Sequence, residues 1–172
     1  MINEMFKEVF ELSNQLQEKN YKKDYENLSK IDKSIGTFEE YVEEQKQQSN
    51  REIPKEKRKI IDDAYISKDE IEKSTLKIDL YLFKLKHIDP IEFDENYKPL
   101  PLKEKDIYEY GAVVSMEDEN GYYNISGVFG GVDNDEHFAL DKYNALKSKV
   151  QNTSEEDLLN EIKNEILKQL NA

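Results

Sequence analysis

The residues best placed to do chemistry lie between Met116 and His137, in MEDENGYYNISGVFGGVDNDEH. The stretch holds Glu117, Asp118, Glu119, Asp133, Asp135, Glu136 and one of the chain's two histidines. Paired carboxylates can divide acid and base roles in hydrolysis. A histidine beside a carboxylate, as His137 stands beside Glu136, can be oriented as a base. Asp133-Asn134-Asp135 opens like a calcium loop.

Spacing weakens each of these. A calcium loop needs glycine at its sixth position and glutamate at its twelfth, where this chain has Phe138 and Asn144. No nucleophile motif accompanies His137, and His87 has no partner nearby in sequence. Gly127-Val-Phe-Gly-Gly131 matches neither GxGxxG nor a phosphate loop. With 38 acidic residues in 172, some carboxylates must fall close together without meaning. The expectation is a protein that is not an enzyme, with no catalytic residue, no cofactor and no metal.

What stands out instead is where the charge lies. The net charge is −13. Residues 1–88 hold 17 basic and 19 acidic side chains, whereas residues 89–172 hold 8 basic and 19 acidic. Asp106 to Asp141 is a run of 36 residues with nine acids and no Lys or Arg. Such a surface repels phosphate and favours a basic protein partner, so direct nucleic-acid binding is not expected. The one basic cluster, Arg51, Lys55, Lys57, Arg58 and Lys59, is diluted by Glu52 and Glu56 and adjoins no aromatic platform, so it reads as a solvated helix start. Absence of cysteine excludes disulfides and thiol chemistry. The acidic N-terminus lacks a signal-like apolar core, and the longest apolar run is Leu80 to Phe83, so no membrane segment and a cytoplasmic location are expected.

The elements that must carry these residues read as follows. Ile2, Met5, Val9, Leu12 and Leu16 recur at helical spacing, with a break near Glu18–Asn20 before Tyr21, Tyr25, Leu28 and Ile31 resume it. Gly36 supplies a stop, and Thr37-Phe-Glu-Glu40 is a capping box that starts another helix. Pro54 suits a first helical position, so 54–74 reads as helix, restarted at a second box, Ser67 to Glu70. Over 75–85 the apolar residues alternate, a strand rhythm; a helical count of Ile71, Thr75, Ile78, Leu82 and Leu85 competes, and the β-branched and aromatic content favours strand. Three of four prolines fall within 89–105, which reads as a connector.

Asn120-Gly121 suits a type I′ turn and predicts a 108–129 hairpin. A two-residue loop there pairs Met116 with Ile125, Val114 with Gly127 and Ala112 with Phe129 on one apolar face, with Tyr108 and Tyr110 further back. The other face gathers Glu109, Glu117 and Glu119 against Tyr122. Asp133 to Glu136 reads as the cap of a helix from Phe138, and Ser154 to Asp157 as the cap of an amphipathic last helix.

The predicted class is α+β: N-terminal helices, a small antiparallel sheet of about three strands, then two C-terminal helices. Residues 1–88 form a mainly helical region, 89–105 a connector, and 106–172 the acidic hairpin with two helices, within one domain or two. The predicted function is that of an inhibitor, immunity protein or nucleic-acid mimic covering a basic surface of a partner protein. Its binding residues are Glu109, Glu117, Asp118, Glu119, Tyr122, Asp133, Asp135 and Glu136. The alternative is an assembly or chaperone protein acting through apolar helix faces, with a homodimer through the N-terminal helix.

Overall fold

A computed structural model describes residues 1–32, 34–50, 64–89 and 91–172. These hold four helices, α1 (Ile2–Ile31), α2 (Phe38–Asn50), α3 (Glu136–Asn152) and α4 (Glu155–Leu170). They also hold five strands, β1 (Tyr65–Glu72), β2 (Lys77–Ile88), β3 (Glu104–Asp118), β4 (Gly121–Ile125) and β5 (Gly130–Asp133). The architecture is α+β, with helices on both sequence flanks of an antiparallel sheet of five strands rather than about three. The chain divides into two compact units, residues 1–60 with 155–172, and residues 61–154.

In the first unit, α1 is one continuous helix. The expected break at Glu18–Asn20 is absent, because Gln, Glu and Lys propagate a helix well even where the apolar stripe lapses. Phe6 and Val9 of α1 are buried, as are Leu158, Leu159, Ile162 and Ile166 of α4, and the two helices pack together. Glu8 meets Lys163 at 2.7 Å, and the Lys19 ammonium donates to the carbonyls of Gln169 (3.2 Å), Leu170 (3.0 Å) and Ala172 (3.1 Å). The helices therefore run parallel, and the Lys19 charge sits at the carbonyl end of α4, where the helix dipole favours a cation. Thr37 Oγ1 accepts from the Glu40 amide at 3.2 Å, so the predicted cap of α2 is present. Tyr25 ties α1 to α2, with its ring 5.6 Å from Phe38 and 5.7 Å from Tyr41 and its hydroxyl donating to Gly36 O.

In the second unit the strand order is β1-β2-β3-β4, with β5 also on β3. The strand predicted over 75–85 is β2. The helix predicted over 54–74 is corrected at its end, since Tyr65–Glu72 is strand β1 and Ser67 to Glu70 caps nothing; residues 51–63, with the basic cluster, lie outside the described residues. Ser67, Asp69 and Ile71 face inward, opposite Leu82, Leu80 and Ile78 of the core, whereas a register shift between Tyr65 and Ser67 sets Tyr65 opposite Phe83 on the other face. That core is Ile78, Leu80, Leu82, Ala112, Val114, Met116 and Ile125, and α3 packs on the sheet with Ala139, Tyr143 and Val150 buried.

The hairpin turns one residue earlier than predicted, which moves every partner by two. Asp118 pairs with Gly121, Met116 with Tyr123 and Val114 with Ile125, so Glu119-Asn120 is the loop. Asp118 draws the turn back by accepting the Asn120 amide at 2.8 Å, an Asx turn. Neither loop residue has positive φ, and only Gly121 does, at 145°. A two-residue change of partner keeps each side chain on its face, so apolar and polar residues still sort. Further along, Gly111 pairs with Gly130 and Tyr108 with Asp133. The two surplus residues are absorbed between Ser126 and Phe129, which separate β4 from β5 on the same edge of β3. Prolines 99 and 101 lie between β2 and β3, whose pairing from Lys77↔Ser115 to Ile88↔Glu104 keeps both flanks of this stretch in one sheet.

Candidate protein-binding surface

The structure does not bring the eight candidate residues together. Glu117, Asp118, Glu119 and Tyr122 sit at the β3–β4 turn. There the Tyr122 ring, 60% exposed, is paired with Glu117 and not with Glu119 as the predicted register had it. Glu117 and Glu119 are exposed, while Asp118 is half-buried and orders the turn.

Glu109 lies eight residues back along β3, about 26 Å at 3.3 Å per residue. It is half-buried between Phe83 and Val132 on the sheet face opposite α3. Its neighbours there are aromatic. Tyr65 and Phe83 stack at 4.1 Å, Phe83 and Tyr81 at 4.9 Å, and Tyr81 lies over Gly111. Burial first, and the Glu109 charge second, push the Tyr81 hydroxyl pKa up. The outward face predicted to be polar is therefore half-covered along its middle, with Ser115 buried and donating to Lys77 O at 3.3 Å.

Asp133, Asp135 and Glu136 belong to the corner between β5 and α3. Asp135, not Asp133, is the N-cap, its Oδ1 accepting the Phe138 amide at 3.1 Å, and α3 starts at Glu136 rather than Phe138. Asp133 Oδ1 accepts the Asp135 amide at 3.0 Å and its Oδ2 accepts Lys142 Nζ at 2.7 Å. The Lys142 contact first, then the Asp135 amide, holds the Asp133 carboxyl below its ordinary pKa. Asp133 and Asp135 are thus occupied by pairing and capping, while Glu136 is exposed in the first turn of α3. His137 meets Asp141 at 3.7 Å across one helical turn and is 80% exposed, a surface pair and not a buried base. His87 pairs loosely with Asp89 at 3.5 Å.

Two further sites escaped the sequence reading. One is a half-buried carboxylate turned toward α3: Asp69 accepts the Tyr143 hydroxyl at Oδ2 and Lys147 Nζ at Oδ1, the latter at 2.9 Å. The Tyr143 bond first and the Lys147 bond second hold the Asp69 pKa down, while burial and Asp69 push Tyr143 up. The other is the β2–β3 loop. Ile88, Ile91, Phe93, Tyr97 and Leu102 are each more than half exposed, with Tyr97 at 88%. The signal was present as apolar residues interleaved with prolines, but proline was read only as a breaker.

No helix among the described residues is long and apolar enough to cross a membrane. Among the same residues, no three His, Asp or Glu side chains converge as a metal site. The chain matches no protein-family model, no curated protein and no solved structure.

Proposed function

We propose that this is a non-enzymatic binding protein whose β3–β4 turn docks on a basic surface of a partner protein, as an inhibitor, immunity protein or nucleic-acid mimic would. The observation that carries the reading is Tyr122, exposed beside Glu117 on an ordered turn that also presents Glu119. An aromatic anchor amid carboxylates suits an interface with a cationic protein, where charge steers encounter and the ring supplies buried area. Asp133 and Asp135 contribute to the field and not to the contact, because folding already uses them, and exposed Glu136 adds to the same field. The alternative of self-assembly through α1 is less favoured, since α4 packs on that helix within the chain.

The test is charge reversal at the turn, Glu117→Lys with Glu119→Lys, read as partner affinity at two salt concentrations in the cytoplasm-derived complex. The expected result is weaker binding with a shallower salt dependence. Unchanged affinity and slope would remove the turn from the interface.

A further inference from the structure

The β2–β3 arm is built to present apolar side chains. Beyond Tyr65↔Phe83 on one side and Tyr108↔Asp133 on the other, β2 and β3 pair only with each other among the described residues, over Leu85↔Ile107, Lys86↔Asp106, His87↔Lys105 and Ile88↔Glu104. Those four rungs extend the sheet by about 13 Å as a two-stranded ribbon.

The tip at its end is ordered by its own hydrogen bonds. Asp89 N donates to Lys103 O (3.0 Å), Leu100 N to Glu92 O (2.8 Å) and Asp94 N to Lys98 O (2.9 Å). Asp94 Oδ1 accepts both the Asn96 and Lys98 amides. Phe93 bridges Pro99, and Tyr97 holds φ at 60°, a conformation uncommon for a bulky side chain. An isolated two-stranded ribbon is marginal in water, and its apolar tip gains nothing from being exposed there. Backbone order combined with exposed Phe93 and Tyr97 is the arrangement of a preformed binding loop, which loses little entropy on docking.

We propose that this tip, Ile88 with residues 91–102, inserts into an apolar groove rimmed by Lys or Arg on the partner protein. The proposal adds a second contact surface to the reading above and rests on it only for the partner being a protein. Asp89 and Glu92 pair with Lys105 and Lys103 at the base of the tip, and its far end carries Asp94 and Glu95 against one base, Lys98, an acidic excess that complements a basic rim. The same acids oppose an anionic lipid surface, which draws basic segments. The net charge of −13 opposes docking with a second copy. A convex apolar tip reaches close packing only in a concave site.

The test places p-benzoylphenylalanine at position 97, at position 122, or at exposed Asn144 of α3 as a control, and irradiates the full-length protein in its native host. A protein adduct from position 97, absent at position 144, is then identified and its recombinant form titrated. Binding should weaken at least tenfold in Phe93→Ser/Tyr97→Asn/Leu102→Ser, with the far-UV spectrum and unfolding midpoint unchanged. No adduct above the position 144 level, an adduct to lipid or to a second copy, or an affinity untouched by the triple substitution would overturn the proposal. So would co-sedimentation with phosphatidylcholine vesicles that the triple substitution abolishes. Adducts from position 122 alone would leave the turn as the docking surface and dismiss the tip.

Discussion

Tyr143 of α3 donates its hydroxyl to the Asp69 carboxylate of β1, joining the helix to the edge of the sheet it covers. Tyr143 is 1% exposed and Lys147, one turn on, grips the other carboxylate oxygen. Asp69 is therefore an inward acid with both oxygens engaged, and Tyr143→Phe should lower the unfolding free energy by about 1.5 kcal/mol at pH 7. Urea titration of the two proteins checks it, and a difference below experimental error would show that the bond contributes nothing.

The same pair sets two pH limbs. Asp69 titrates lower folded than unfolded, so its contribution is present above the ordinary value of 3.8 and is lost as pH falls through the depressed folded value. Tyr143 titrates higher folded than unfolded, so its contribution is full below the ordinary 10.0 and is lost as pH rises above it. Tyr143→Phe should remove this alkaline contribution and narrow its deficit below about pH 4. Unfolding midpoints from pH 3 to 11 give the comparison, and parallel curves for the two proteins would contradict it.

Gly130 tests how β5 is seated. A Cβ there would lie 2.2 Å from Tyr110 O and 2.9 Å from Gly111 Cα, on a backbone with φ of 139°. Gly127, with φ of 77°, has open space around its Cβ position. Gly130→Ala should cost more than 2 kcal/mol and expose β5 amides to hydrogen exchange. Gly127→Asn should cost under about 1 kcal/mol, since Asn tolerates positive φ. Equal losses at the two positions would mean that β5 does not approach β3 so closely.

These devices show what was legible from residues alone. The alternation of Leu76, Ile78, Leu80 and Leu82 marked β2, and hairpin patterning survived a misplaced turn because a two-residue change of partner preserves faces. What patterning could not supply was a partner. Ser67 to Glu70 looks like a helix cap until β2 pairs with it, and Asp69 looks solvated until Tyr143 and Lys147 arrive from 74 and 78 residues away. The acidic tract looked like one surface because charge was counted along the chain. Folding sends Asp135 to a helix cap, Asp133 to Lys142 and Glu109 to an aromatic face, which separates them from the turn. The exposed tip was missed because burial is a tertiary fact.

The corner acids give a separable prediction. Asp135→Ala removes the α3 cap and should cost about 1 kcal/mol, with Asp135→Ser near neutral. If Asp135 serves only folding, partner affinity should be the same for both variants at a temperature where each is folded. A larger affinity loss in Asp135→Ala than in Asp135→Ser, without a matching stability difference, would return this corner to the interface.

The packing of α1 on α4 makes the last prediction. Phe6 is fully buried, and Phe6→Ala should lower stability by about 3–5 kcal/mol. If that side chain is covered by α4 of the same chain, the unfolding midpoint must be independent of protein concentration, because no association is linked to folding. A seam that paired two chains would instead raise the midpoint as concentration rises, and Phe6→Ala would convert a dimer to monomer in sedimentation. Unfolding of both proteins over a hundredfold concentration range separates the two cases. A flat midpoint with a large Phe6→Ala loss is the expected result, and it would take this face of α1 out of the surfaces available to a partner.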